Sequence, residues 1–387
     1  MNPLNTDLPQ ALSVELRVRQ PGLDIQAQFR ALPGEVCALV GHAGAGKTTL
    51  LKALAGLHPA QGGRVALGPY PIYDSAARID LPPHQRRLAW LDSQAHLLPH
   101  RDVAGNLTQA LRLRRQAPAR LLQDTIDWLA LGPLLQRPAR RLDGGQRLRV
   151  ALARTLLASP HAVLMDDPLA PISATERPAL LDLLAELSRR LPVPMVLITP
   201  RMNEVIRMAS ELIVLHEGRM ASAGPAPRIL SDVSYASFLE GNDAGSVLEG
   251  VVMRHDVAWM LTEVDVGGQR IIVPATPCPI GSRVRLKIRG RDVSLQRSPT
   301  SDTSQNNQLH GRVAQVMLAG EHGAYGAVTV SLLHPQDSDR AAHGSQPVQI
   351  WAMLTRKSIQ QMDLTPGQPC VISFKAMAVT VSGWREA

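Results

Sequence analysis

The chain has 387 residues, 45% of them apolar and 19% charged, a globular composition long enough for two or three domains and a sizeable core. A formal net charge of +8 fits nucleic acid, anionic ligands or an anionic membrane surface and selects none of them. Three scattered cysteines (Cys37, Cys278, Cys370) argue against a disulfide framework and fit a reducing compartment. No apolar run approaches the roughly 20 residues that span a bilayer, and the start "MNPLNTDLPQ" lacks the basic and apolar regions of a signal peptide, so a soluble chain is expected.

Up to about Gly224, strand-like apolar runs alternate with helical patterns, which predicts an α/β domain on a parallel sheet. The first such unit is the clearest. "VCALVG" leads through a Gly-rich turn into the helical stretch "KTTLLKALAGL", and Gly41, His42, Ala43, Gly44, Ala45, Gly46, Lys47, Thr48 and Thr49 match the phosphate-loop pattern G-x-x-x-x-G-K-[ST]. Glycines let backbone amides approach phosphates, and a helix N-terminus adds positive potential. In such a loop Lys47 reaches the β- and γ-phosphates and Thr48 ligates Mg²⁺.

Two later strand ends complete the pattern. "AVLMDD" delivers Asp166 as an Mg²⁺ ligand and Asp167 as the group that orients or deprotonates water. "MVLIT" ends at Thr199 and Pro200, where a parallel sheet places its chemistry. Pro200 has no donor, acceptor or titratable side chain. Its expected role is structural, with Thr199 capping the next helix and Pro200 at the first helical position.

From about Val247 the texture changes. "RIIVPA", "SRVRLKIRG", "GRVAQVML", "AVTVSLL" and "CVISFKAMAVTV" are short and β-branched, which predicts a small all-β domain of barrel or sandwich type. The polar stretch "RSPTSDTSQNNQ" divides it and reads as a flexible loop.

Between the two halves of the phosphate site stands "RRLDGGQRLRVALARTLLASP". Here the sequence resembles the ATP-binding subunits of ABC transporters. Their LSGGQ signature appears as Leu142, Asp143, Gly144, Gly145 and Gln146, and "LDSQAHLLPH" resembles their Q-loop region. Further on, "RGRDVSL", "TSQNNQLHGRV" and "LTPGQPCVISFKAMAVTV" resemble the β-domains of molybdate importers, which bind oxyanions. The resemblance implies an ABC-type ATP-binding domain over 1–235 with a helical subdomain, a linker and the first part of a β-domain over 236–300, and an OB-like Mop/TOBE domain over 301–387. It implies an ATPase using ATP and Mg²⁺ that energises an inner-membrane importer of molybdate or a similar tetrahedral oxyanion. The implied partners are a second copy of the chain, a membrane permease touched by the Q-loop and the helix near Asn106, and, indirectly, a periplasmic oxyanion-binding protein. The implied place is the cytoplasmic face of the inner membrane. The Arg-rich run (Arg137, Arg140, Arg141, Arg147, Arg149) reads as a solvated helix face without interleaved aromatics, so no nucleic-acid partner is expected.

Several positions depart from the family's pattern. Asp143 replaces the signature serine, putting a carboxylate where a phosphate is expected. Asp167 replaces the catalytic glutamate, one methylene shorter. Ser93 stands at the Q-loop glutamine's place, leaving Gln94, one residue later, as the candidate catalytic and Mg²⁺-facing amide. Ser173 replaces the final aspartate of the D-loop, and Pro200 replaces the switch histidine that contacts the γ-phosphate. Phe29 is the sole aromatic before Gly41 to stack on adenine, and it lies close to the loop. In the β-domain Asn306 takes the motif's arginine position, leaving Thr303, Ser304 and Lys375 as oxyanion ligands. These losses motivate an alternative, a regulator or paralogue that binds ATP with little hydrolysis.

Overall fold

Alternation builds the first strand: Leu12, Val14, Leu16 and Val18 are buried, while Glu15, Arg17 and Arg19 are exposed. The structure, a computed structural model, describes residues 10–113, 118–232, 234, 244–318, 324–333 and 348–385. It falls into two units, Met1–Gly224 and Pro225–Ala387. The boundary lies earlier than the expected 235.

The first unit is built on one sheet. Its strands are β1 (Leu12–Gln20), β2 (Leu23–Ala31), β3 (Val36–Val40), β4 (Gly62–Leu67), β5 (Tyr70–Asp74), β6 (Ile79–Asp80), β7 (Leu88–Asp92), β8 (Ala162–Asp166), β9 (Met195–Ile198), β10 (Glu211–His216) and β11 (Arg219–Pro225). They lie in the order β6-β5-β4-β1-β2-β11-β10-β3-β9-β8-β7. The run from β10 to β7 is parallel. Its helices are α1 (Lys47–Ala55), α2 (Val103–Leu111), α3 (Leu121–Trp128), α4 (Gly144–Ala158), α5 (Arg177–Arg190) and α6 (Met202–Met208).

The central strands are apolar throughout because both faces are covered. Leu39, Leu164, Val196 and Ile198 pack with Leu50, Leu51 and Leu54 of α1. Val163, Met165, Met195 and Leu197 pack on the other side with Leu148, Leu152, Leu184 and Leu187 of α4 and α5. At the far end of α1, Arg86 is buried, and its guanidinium donates to the carbonyls of Ala53 and Leu54 at 2.9 and 2.7 Å and to the Asp80 carboxylate at 2.7 Å. A cation thus closes the negative end of the helix whose other end forms the phosphate loop. Trp128 packs partly buried against the edge of the helical core, with Arg190 over its ring at 4.5 Å. Among the described residues no helix is long and apolar enough to cross a membrane.

The second unit begins with α7 (Ala226–Leu230) and contains two five-stranded antiparallel sheets. β12 (Gly245–Asp256), β13 (Leu261–Val266), β14 (Gln269–Pro274) and β15 (Arg283–Arg289) are joined in the first sheet by the last strand of the chain. β16 (Ser294–Gln296), β17 (Asn307–Leu318), β18 (Tyr325–Leu332), β19 (Gln349–Thr355) and β20 (Pro369–Phe374) form the second, with α8 (Arg356–Gln361) after β19, and β21 (Val379–Arg385) returns to pair with β15. The sheets share one apolar core.

Amide side chains join the two sheets. Asn307 is buried, accepts from the Ile272 amide at 2.6 Å and donates to the Ile272 carbonyl at 2.9 Å. It mimics one rung of strand pairing between β17 and β14. Gln269 does the same against His310, at 2.8 and 3.0 Å. The expected loop "RSPTSDTSQNNQ" is therefore shorter than anticipated, because Asn307 and Gln308 already belong to β17. It is also tied down, with the Thr300 amide and carbonyl both bonded to the Gln308 side chain.

Asn307→Ala would leave a backbone donor and an acceptor unpaired in a buried seam, so a loss of about 1–3 kcal/mol is expected in urea unfolding of the full chain.

Candidate nucleotide site

The loop between β3 and α1 is shaped by contacts that only glycine tolerates. Gly41 has φ +148°, and a Cβ there would stand 2.0 Å from the Leu215 carbonyl oxygen. Gly46, the residue before α1, has φ +97°, and a Cβ would meet the Ile25 side chain at 2.6 Å. No side chain caps α1 and no acid stands in its first turn. Its N-terminal amides and dipole are thus left to an external anion. Lys47 Nζ donates to the carbonyls of Gly41 and His42 at 2.7 and 2.8 Å, which folds the ammonium over the loop. Burial lowers the Lys47 pKa, and the Asp166 charge opposes that shift. The Thr49 hydroxyl donates to Gln20 Oε1 at 2.8 Å, fixing the loop to the end of β1.

The acids come from level strand ends. In the parallel register Asp92 lies beside Asp166, and Asp166 beside Ile198. Thr48 Oγ1 donates to Asp166 Oδ1 at 3.1 Å. This hydroxyl and carboxylate are hard oxygen donors of the kind Mg²⁺ takes, with phosphate and water completing its shell. Burial raises the Asp166 pKa against the Thr48 hydrogen bond and the Lys52 charge. Asp167 has φ +44° and its amide bonds the Ile198 carbonyl at 2.8 Å. Its carboxylate pairs with Arg201 Nη1 at 3.0 Å.

The tip after β9 differs from expectation. Helix α6 starts at Met202, so Pro200 is exposed in the preceding turn and is not the first helical residue. Thr199 caps that turn by accepting from the Arg201 amide at 3.1 Å, and its hydroxyl donates to Glu204 Oε2 at 2.6 Å. Glu204 is buried, and burial raises its pKa against the Thr199 bond and the Arg201 charge.

Both units resemble known proteins. The family described as ABC transporter matches residues 26–170, and the TOBE domain matches residues 326–381. Three relatives carry the name Molybdenum import ATP-binding protein ModC. That of Paramagnetospirillum magneticum is 32% identical over 95% of this chain and 97% of its own. That of Thiobacillus denitrificans is 35% identical over 95% and 98%, and that of Rhodobacter capsulatus 34% over 95% and 98%. The chain belongs to the ABC transporter family.

Asp143, expected at the place of the signature serine, has a local role. Asp143 is the N-cap of α4. Its carboxylate accepts from the Gln146 amide at 2.8 Å, and Gln146 Oε1 accepts from the Asp143 amide at 3.4 Å, closing a capping box. Aspartate does what serine does as a cap and adds a charge that the helix dipole favours. Leu142 is buried, and Gly144 and Gly145 form the first turn of α4. Ser173 in the D-loop donates to Glu176 Oε2 at 2.9 Å and so works on the entry to α5.

The Q-loop turn is anchored by Asp92, which sequence reasoning missed. Its carboxylate accepts from the amides of Gln94 and Ala95 at 2.9 and 3.1 Å, from Trp90 Nε1 at 3.0 Å, and pairs with His96 at 2.7 Å. Burial acts to raise the Asp92 pKa, but these hydrogen bonds outweigh it and hold the carboxyl low. Ser93 and Gln94 are both exposed just beyond β7. Asn106 is buried and bonds Leu98 and Asp102, a structural role. Phe29 is partly buried and packs against the core of the sheet opposite Val14.

In the second unit Thr303, Ser304 and Lys375 are exposed. Thr303 Oγ1 accepts from the Gln305 amide at 3.2 Å, and the pairing of Asn307 with Phe374 brings Lys375 to the same sheet end as Asn306. Arg201 and Glu204 were also missed. The available signal was a cation and an acid directly after a strand tip, three residues apart.

A raised carboxyl means that the folded chain holds the proton more tightly than the unfolded chain. The contribution of Glu204 to stability is therefore full at low pH and is lost as pH rises through its raised folded value. Glu204→Gln should remove that decline, so the melting temperature of the variant should rise relative to wild type from acidic to neutral pH. Asp143→Ala should cost about 1 kcal/mol of stability through loss of the cap, measured by thermal unfolding.

Proposed function

We propose that the chain is the ATP-binding and ATP-hydrolysing subunit of a membrane importer of molybdate or a similar tetrahedral oxyanion. The observation that carries this reading is the convergence of the uncapped α1 N-terminus, Lys47, and the Thr48–Asp166 pair on one sheet edge, in a chain alignable over nearly its whole length with molybdenum import ATP-binding proteins. The loop amides and Lys47 bind and orient the triphosphate. Thr48 and Asp166 hold Mg²⁺, which when bound neutralises charge on the phosphate oxygens. Asp167, next along the chain, orients the attacking water and accepts its proton.

The proposed assembly is a homodimer in which the α4 N-terminus of one copy, with Asp143, Gly144 and Gly145, faces the nucleotide of the other. The proposed permease contact is a largely apolar cavity of about 740 Å³ in the first unit. Trp90, Leu91, Ala95, Leu113, Ala151 and Arg154 line it, between β7 with its turn and helices α2 and α4. In this proposal an apolar segment of the permease docks there, and the chain is peripheral on the cytoplasmic face of the inner membrane. A periplasmic oxyanion-binding protein is an indirect partner. Thr303, Ser304 and Lys375 remain the oxyanion candidates of the β-domain.

Steady-state MgATP hydrolysis by the purified chain tests the enzymatic part. Wild type should exceed Lys47→Ala by about 10²–10³-fold, the usual effect of removing a preorganised charge from a phosphoryl-transfer site. Equal rates would remove the hydrolytic reading. Loss of molybdate uptake in cells carrying Lys47→Ala tests the cargo.

A further inference from the structure

We propose that Arg201 reads the terminal phosphate of the bound nucleotide, supplying at the β9 tip the donor that Pro200 lacks. The inference rests on the nucleotide-hydrolysing reading above and assigns a phosphate-contacting residue within it. Position is the first argument. Asp166 pairs with Ile198, and Arg201 follows Ile198 by three residues, so its guanidinium meets Asp167 at 3.0 Å, next to the carboxylate that takes the Thr48 hydroxyl.

Charge is the second argument. Arg201 Nη1 makes two ionic contacts, to Asp167 and, at 3.8 Å, to Glu204 Oε1. The planar fork has further donors, suited to bidentate contact with phosphate. The side chain is 32% exposed, so a ligand can approach it, whereas the Glu204 side chain is only 3% exposed. Two carboxylates hold the cation at the strand tip, and only one of them, Asp167, stands at the reacting edge.

Preorganisation is the third. The Arg201 amide is bonded to Thr199 Oγ1, and the same hydroxyl is bonded to buried Glu204, so the stem of Arg201 is set by a closed turn. A fixed cation aimed at developing negative charge stabilises a transition state without reorganisation. A terminal phosphate therefore competes with Asp167 for the fork. When it wins, it releases the Asp167 carboxylate toward water. A diphosphate, lacking that group, leaves the Arg201–Asp167 pair intact. Occupancy by the triphosphate and availability of the base are linked through one side chain.

The test uses the full-length protein with Arg201→Ala, Arg201→Lys and Asp167→Asn. Binding of ATP and ADP is measured by calorimetry, together with kcat and KM. Arg201→Ala should reduce the ratio of ATP to ADP affinity about tenfold, the worth of one charge-assisted hydrogen bond, with ADP binding unchanged. Its kcat should fall about 10²-fold or more, with Arg201→Lys recovering part of both effects. Asp167→Asn should keep or increase the ATP preference, because the fork loses its competitor. An unchanged ATP to ADP ratio in Arg201→Ala overturns the proposal, and so does an equal loss of both affinities, which marks a purely structural ion pair. If wild type hydrolyses ATP no faster than Lys47→Ala, the hydrolytic reading fails, while the affinity ratio still decides the role of Arg201.

Discussion

The nucleotide edge depends on parallel strands ending level. Leu39 of β3 pairs with Ile198 of β9, Ile198 with Asp166 of β8, and Asp166 with Asp92 of β7. Because side chains alternate along a strand, a slip of one residue would turn Asp166 away from Thr48 and send Val163 and Met165 to the wrong face. The same register that fills the two apolar layers therefore aims the acids. Core packing and chemistry are not separate demands here. The strands are held by Leu50, Leu54, Leu148 and Leu187, and the site inherits its geometry from them.

Substitutions at the edge keep local structure while changing charge. Asp143 preserves a cap. Ser173 joins the entry turn of α5 through Glu176. Pro200 occupies a turn that Thr199 already closes. Each residue satisfies the backbone around it, which explains why the fold tolerates it. The charges at these places are the Asp143 carboxylate at the start of α4 and the Arg201 guanidinium, one residue beyond Pro200, paired with Asp167.

Much of this was legible in the sequence. The phosphate loop, the strand ending in Asp166 and Asp167, the α/β to all-β transition and the relation to ABC transporter subunits all follow from local patterns, because strand–turn–helix units with glycine at fixed places have few alternative structures. The expectation that Thr199 would cap the helix failed because capping preferences are local, whereas the start of α6 is decided by a hydrogen bond from Thr199 to buried Glu204. Arg201 was passed over for the same reason: nothing in its neighbours along the chain shows that Asp167, far away in sequence, lies within 3.0 Å. Asp92 was hidden by attention to the glutamine after it, although the acid holds the turn. In the β-domain the polar run was read as a loop because Ser, Thr, Asn, Asp and Pro cluster in it. Asn307 sits in one because its side chain replaces a missing rung of backbone pairing.

That replacement has a consequence for how the second unit comes apart. Two sheets that met only through apolar side chains could slide or separate while each kept its own ladder. Here Asn307 and Gln269 tie the backbone of one sheet to the other, and the Ser246 hydroxyl accepts from the Trp351 amide at 3.0 Å. Hydrogen bonds are directional, so these ties fix registry between the sheets as well as their contact. The last strand, β21, leaves the second sheet's end of the chain to close the first. The unit is therefore laced in both directions, and its two sheets are expected to open as a single cooperative block rather than as two separable layers.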